Sequence, residues 1–225
     1  MPFGVRLHVW GERACFTRPE MKVERLSYDV PTPSAARGIL EAIHWKPQIR
    51  WVVDRIHVLN EIRFQSFRRN EVGGKASASL AARAMKSGNL AGLGLDAVHD
   101  RQQRASVMLI DVSYVIEAHF EMTDAGAADD PAKHAAMFNR RAAAGQCFHR
   151  PCLGTRECAA EFALLPEGAP LPPGTLPENQ RGRDLGWMLY DIDFAADRTS
   201  RFFRARLTDG VLDVAACLSE SGLAA

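Results

Sequence analysis

Phe3, Val5, Leu7 and Val9 alternate with Gly4, Arg6, His8 and Trp10, a period of two that predicts a half-buried strand at the start of the chain. Residues 11–30 carry Arg13, Arg18, Lys22 and Arg25 without clear periodicity and are expected to form an irregular connection. The period then lengthens: after Thr32-Pro33, a cap followed by a residue that needs no N–H partner, Ala36, Ile39, Leu40 and Ile43 fall on one helical face. Pro47 disfavours helical geometry in the residue before it, so this helix should end about Trp45. Residues Ile49 to Leu59 read as a second strand, and after an Asn60-Glu61 turn, Ile62 and Phe64 alternate with Arg63 and Gln65, predicting a hairpin.

From Asn70 to Arg104 the composition shifts to Gly, Ala and Ser, and the expectation is a long flexible surface loop over 70–104 with a short helix through Leu80 to Met85. Neither of the ordered glycine-rich phosphate-binding patterns occurs in it. The clearest strand follows, with Met108, Ile110, Val112, Tyr114, Ile116, Ala118 and Phe120 on one face. A second capped helix opens at Asp130-Pro131 and stops at Gly145; a strand carrying Cys158, Ala160, Phe162 and Leu164 comes after it. The order strand, helix, strand, strand, helix, strand is the α+β, ferredoxin-like (RAMP/RRM-like) βαββαβ pattern. Pro- and Gly-rich residues 167–174 mark a boundary, giving a first domain over 1–165 and a small antiparallel β-domain over 166–225. Within the latter, Met188, Tyr190, Ile192 and Phe194 alternate, and Asp209-Gly210 is a hairpin turn signal.

With 47% hydrophobic and 24% charged residues over 225 positions, the chain has enough apolar material for a core and is not a disordered composition. No segment has the apolar length of a bilayer span, and Met1 to Arg6 lack the features of a signal peptide, so no membrane partner and a cytoplasmic location are expected. Five scattered cysteines make no disulfide framework. Cys147, Cys152 and Cys158 gather near His149, but their spacing is poor for zinc, so core or surface thiols are the reading and no metal or other cofactor is expected. The net charge of +1 does not announce a nucleic-acid binder. Its distribution is more suggestive, because Arg and Lys gather in patches that can form one basic face; Arg37, Lys46, Arg140, Arg141 and Arg156 are the candidate RNA contacts.

The candidate chemistry lies in Asp130-Pro131-Ala132-Lys133-His134. Unpaired N–H groups and the positive end of the dipole favour an anion at a helix start, and here an ammonium and a titratable imidazole share the first turn. If the two helices pack on one face of the sheet, the end of the first approaches the start of the second, and His44 is expected to meet Lys133 and His134. Two imidazoles and an ammonium suit metal-free RNA cleavage: one imidazole takes the 2′-hydroxyl proton, the other protonates the 5′-oxygen, and the Lys stabilises the phosphorane.

The stretches from Leu26 to Gly38, from Glu41 through His44-Trp45-Lys46 to Pro47, and from Lys133-His134 through Gly154-Thr155-Arg156-Glu157-Cys158 resemble the CRISPR-associated Cas-five family, in the subtype d of type I-C (Dvulg) systems. The resemblance runs from the first strand to about Phe162 and, more loosely, into the C-terminal sheet. It implies an endoribonuclease that cuts precursor CRISPR RNA within its repeat hairpin without metal. It also implies that the protein remains on the crRNA 5′ handle beside the other subunits of the interference complex. It further implies a catalytic Tyr, Lys and His. Lys133 and His134 match the last two, whereas the Tyr position is His44, a departure from the pattern. The alternative is a non-catalytic subunit that holds crRNA or duplex DNA on the same basic patches.

Overall fold

The computed structural model describes residues 4–194 and 197–222, so Phe3, the first apolar position of the expected opening strand, lies outside the described residues. In chain order the elements are β1 (Val5–Ala14), β2 (Arg25–Leu26), α1 (Pro33–Ile43), β3 (Ile49–Val58), β4 (Phe64–Val72), α2 (Ala78–Ser87) and β5 (Arg101–Met122). Then follow α3 (Pro131–Ala143), β6 (Glu161–Leu164), α4 (Glu178–Arg181), β7 (Asp184–Ile192), β8 (Ser200–Arg206), β9 (Val211–Asp213) and α5 (Val214–Glu220). The described residues of 1–65 and 107–225 form one compact unit and residues 66–106 a second.

In the larger unit the strands run β6-β1-β5-β3-β9, and every measured pairing is antiparallel. Alternation fixes the register. Leu7 sits between Ile116 and Leu164, Val9 between Tyr114 and Phe162, and Ile56 between Ile116 and Leu212, which aligns two apolar rows across the sheet, buried except at the half-buried edge residues Phe162 and Leu164. A one-residue slip would turn those rows out to solvent. A bulge between Val53 and Arg55 re-aims the middle of β3. The result is a mixed α/β architecture with a main antiparallel sheet and a separate two-stranded sheet, β7-β8.

Helix α1 starts where Thr32 Oγ1 accepts from Ala35 N–H at 3.1 Å, with Pro33 in the first turn. It buries Ala36, Ile39, Leu40, Ala42 and Ile43. Helix α3 starts in the same manner, Asp130 Oδ1 accepting from Ala132 N–H at 2.9 Å. Its core stripe is His134, Phe138 and Ala142, spaced four residues apart. Trp51 on β3 lies beneath this helix, 4.8 Å from the Phe138 ring and 5.4 Å from the Phe120 ring of β5. Burying aliphatic side chains such as Ile39 and Leu40 contributes roughly 1.5–3 kcal/mol each to the stability of this layer.

Several local expectations need correction. Residues 70–104 are not one loop: β4 extends to Val72, α2 occupies Ala78–Ser87, and β5 already begins at Arg101. Helix α2 contains the expected short helix through Leu80 to Met85; it is capped by Ser77 Oγ on Leu80 N–H and ends at left-handed Gly88, which extends it past those bounds. Strand β4 does not form a hairpin with β3; it pairs with β5, whose 22 residues serve β3 from Tyr114 onward and leave the earlier part for β4. Residues 11–30 are not wholly irregular, since β1 continues to Ala14 and β2 pairs with β5. Cys158 lies before β6 rather than in it. The last third contributes β7-β8 as a separate sheet, but Asp209-Gly210, both at positive φ, turns the chain so that β9 joins the main sheet beside β3. Strand β9 thus ties residues beyond 166 to the main sheet, and α5 adds a helix that alternation over Val211 to Val214 did not foretell.

Gly154 locks the segment after α3 onto β1. It has φ +89°, and a Cβ there would lie 2.0 Å from the Cys15 carbonyl oxygen, beside the bond from Cys15 N–H to Leu153 O at 2.9 Å. Neither the dihedral nor the space accepts a side chain. Gly154→Ala is expected to lower stability by at least about 2 kcal/mol, seen as a fall in the urea midpoint.

Candidate active site

The end of α1 leaves carbonyls without intrahelical partners, and three outside donors take them up. Phe148 N–H donates to Ala42 O at 2.8 Å, Arg141 Nη1 to Ile43 O at 3.0 Å, and Trp51 Nε1 to His44 O at 2.9 Å. His44 is the C-cap, its own N–H still donating to Leu40 O at 2.9 Å while its backbone turns extended. These four bonds aim the imidazole at the first turn of α3. There His44 Nε2 lies 3.2 Å from His134 Nδ1, with the rings tilted 35° and 5.5 Å apart. The expected meeting of residues 44 and 134 therefore occurs in the fold.

The other ring nitrogen of His134, Nε2, lies 3.3 Å from Asp129 Oδ2. A nitrogen facing a carboxylate carries the proton, so Nε2–H donates to Asp129. In neutral His134, Nδ1 is then the acceptor for His44 Nε2–H, and His44 Nδ1 carries no proton. That atom is buried and has no hydrogen-bond partner. Burial, helped by the charges of Arg141, His134 and Lys46, pushes the His44 pKa down to about 4, so the ring is neutral at pH 7.

Exposure divides the candidates. His44 is fully buried and His134 is 4% exposed, whereas Lys133, next in sequence, faces solvent. Successive helical residues point about 100° apart, so with His134 on the core stripe Lys133 is placed on the rim. Asp129, 34% exposed, stands between them and solvent on the loop that precedes α3. Thr123 pins that loop to the segment after His44, its N–H donating to Gln48 O at 2.9 Å and its Oγ1 to Pro47 O at 2.6 Å. Sequence reading missed Asp129. It lies five residues before His134 and ahead of the helix cap, where no helical spacing links the two; only the doubled acid before Pro131 marks the place.

The basic candidates separate as well. Arg37 is committed to Asp191 through both guanidinium nitrogens and to Glu41 at 3.4 Å, and Arg141 spends a donor on Ile43 O. Lys46, Arg140 and Arg156 are exposed, Lys46 beside Trp45, which is 57% exposed. Cys158 is buried and its thiol is pushed up by burial, Cys152 is partly buried, and Cys147 is exposed.

The imidazole pair ties stability to pH. His44 titrates near its ordinary value of 6.5 when unfolded but near 4 when folded, so the unfolded chain takes up the proton first as pH falls. The contribution is fully present above pH 6.5 and is lost progressively towards pH 4, by up to about 3 kcal/mol. The urea midpoint should therefore drop between pH 7 and pH 4.5, and His44→Gln should flatten that dependence.

The pattern has relatives. The model of the CRISPR-associated protein (Cas_Cas5) family, in its Cas5d form, matches residues 4–215. A protein of Mannheimia succiniciproducens named CRISPR pre-crRNA endoribonuclease Cas5d is 59% identical over 93% of this chain and 94% of its own. One of the same name from Thermus thermophilus is 42% identical over 94% of this chain and 91% of its own. Among solved structures, one described as a CRISPR-associated protein superposes with a TM-score of 0.67 at 26% identity, covering 98% of this chain and 95% of that one. With the fold and nearly the whole length in common, the chain belongs to the CRISPR-associated Cas5 family, in its Cas5d branch.

Proposed function

We propose that this protein is an endoribonuclease that cuts precursor CRISPR RNA within its repeat hairpin and stays on the crRNA 5′ handle as a subunit of a type I-C interference complex. Relatives at 59% and 42% identity carry the name pre-crRNA endoribonuclease, which supports the substrate class. The strand order β6-β1-β5-β3 with α1 and α3 as the two crossovers supports reading the core as ferredoxin-like, of the repeat-associated kind. The observation that carries the chemistry is the meeting of His44 and His134 at 3.2 Å, ninety positions apart, under a helix start with Lys133 on its rim.

The chemistry needs no metal. The ribose 2′-oxygen attacks phosphorus, forming the O2′–P bond as the P–O5′ bond breaks, and the 2′ proton leaves to solvent. For this step the pair takes up one proton from solvent, so that His134 is the imidazolium with Nδ1–H donated to His44 Nε2 and His44 is the neutral Nδ1–H tautomer. His134 delivers its Nε2 proton to the departing O5′ and is left neutral, and Lys133 stabilises the charge on the phosphorane. The products are a 5′-hydroxyl and a 2′,3′-cyclic phosphate. His44 is the third member of the site but acts from behind. Its Nε2 is engaged by His134, its ring is out of solvent, and its lowered pKa makes it a poor resting place for a proton. It orients His134 rather than taking the 2′ proton itself. Lys46, Arg140 and Arg156, all exposed, are the nearest fits for RNA phosphates, with Arg37 and Arg141 supporting them from their ion pair and carbonyl contact.

A second reading is a non-catalytic subunit that holds crRNA or duplex DNA. The burial of both imidazoles favours it, because His134 is only 4% exposed and its Nε2 already faces Asp129. Incubating labelled repeat RNA with the purified chain in EDTA separates the two. Cleavage is expected to persist, and the Lys133→Ala, His134→Ala double variant should lose it by at least about a hundredfold while binding the repeat within a few-fold of wild type. Undiminished cutting by that variant would remove the site from the mechanism.

A further inference from the structure

Both ring nitrogens of His134 are occupied, Nδ1 by His44 and Nε2 by Asp129. A phosphodiester that is to receive the Nε2 proton must therefore displace one of them. His44 cannot yield, being the fully buried cap of α1 with its carbonyl held by Trp51. Asp129 can. Its backbone is fixed, N–H to Gly126 O at 2.9 Å, in a loop pinned to Pro47 and Gln48. Its carboxylate, by contrast, is one-third exposed and has His134 as its one partner among the described residues. Among the other charges near the pair, Asp130 is committed to the helix cap through Ala132 N–H, while Lys133 on the rim and Arg141 and Lys46 on the His44 side are cationic.

We propose that Asp129 is a specificity-determining residue, an anionic placeholder on His134 that only an RNA anchored elsewhere on the protein displaces. This rests on the reading of His134 as the group that moves a proton to RNA. Carboxylate and phosphodiester are both anions that accept from the same N–H, and they repel each other when both approach it. The carboxylate is tethered in place at a high effective concentration, so an RNA with a brief stay loses the competition. A repeat hairpin held by many phosphate contacts stays long enough to take the site. Discrimination then arises at the chemical step as well as in binding.

The test uses the full chain with two RNAs, the cognate repeat and an unstructured RNA of equal length, in single-turnover cleavage. Asp129→Asn, which keeps the shape and removes the charge, should raise the rate on the unstructured RNA about tenfold relative to the repeat, the order set by one partly exposed charge contact. Asp129→Glu should retain discrimination. An unchanged ratio in Asp129→Asn would overturn the proposal, and so would loss of cutting on both RNAs, which would make Asp129 an aid to the chemistry. His134→Ala in the Asp129→Asn background should be silent on both. Cutting by that double variant would sink the reading of His134 instead, so the two failures are distinguishable.

Discussion

The site depends on how the last carbonyls of α1 are satisfied. A helix end inside a protein leaves acceptors that cost roughly 1–3 kcal/mol each if buried without partners. Here they are taken by a backbone N–H from the segment after α3, a guanidinium from α3 itself and an indole from β3. Those donors come from three separate places in the chain, so the α1 end is a junction as much as a terminus. Its cap residue, His44, is held where only the first turn of α3 is in reach. Moving any one donor would move the imidazole.

The same junction explains the division of labour in the first turn of α3. His134 shares a stripe with Phe138 and Ala142, over Trp51 and Phe120, and is therefore drawn into the core. Lys133, one position earlier, is left at the surface. An imidazole buried on the apolar stripe, backed by a neutral imidazole and faced by a carboxylate, has a defined tautomer and a single open direction. An ammonium on the rim has no such constraint and stays with the solvent. One helix start thus places a buried imidazole and a solvent-facing ammonium within a single turn.

The presence of His at position 44, where the family resemblance implies Tyr, takes its meaning from this setting. A His there can hydrogen-bond to His134 only by giving up one nitrogen and burying the other without a partner. The arrangement ties stability to pH through a group that never meets the solvent. Asp129 completes a line of three groups running from the core to the surface, with the carboxylate at the wet end.

Much of this was legible along the chain. Alternation in β1, β3 and β5, the Thr32-Pro33 and Asp130-Pro131 caps and the Asp209-Gly210 turn are local signals, and local physics suffices to read them. So was the likeness carried by the stretches Leu26 to Gly38 and Glu41 to Pro47 and by Lys133-His134, with His44 as the departure. Other features were decided by partners distant in sequence. Strand β4 chose β5 over its neighbour β3 because β5 is long enough to serve both, and β9 left its own hairpin to extend the main sheet. The burial of His134 was latent in its four-residue spacing to Phe138, yet the importance of that spacing appears only once Trp51 lies beneath it. Asp129 carried no periodic signal at all, since its contact with His134 is made by a loop pinned to Pro47 and Gln48, some eighty residues away. By itself the sequence determined which elements form and which chemistry they carry. The tertiary structure decided which of those groups face each other and which face water, because caps and periods act within a few residues whereas exposure is set by whatever packs on top.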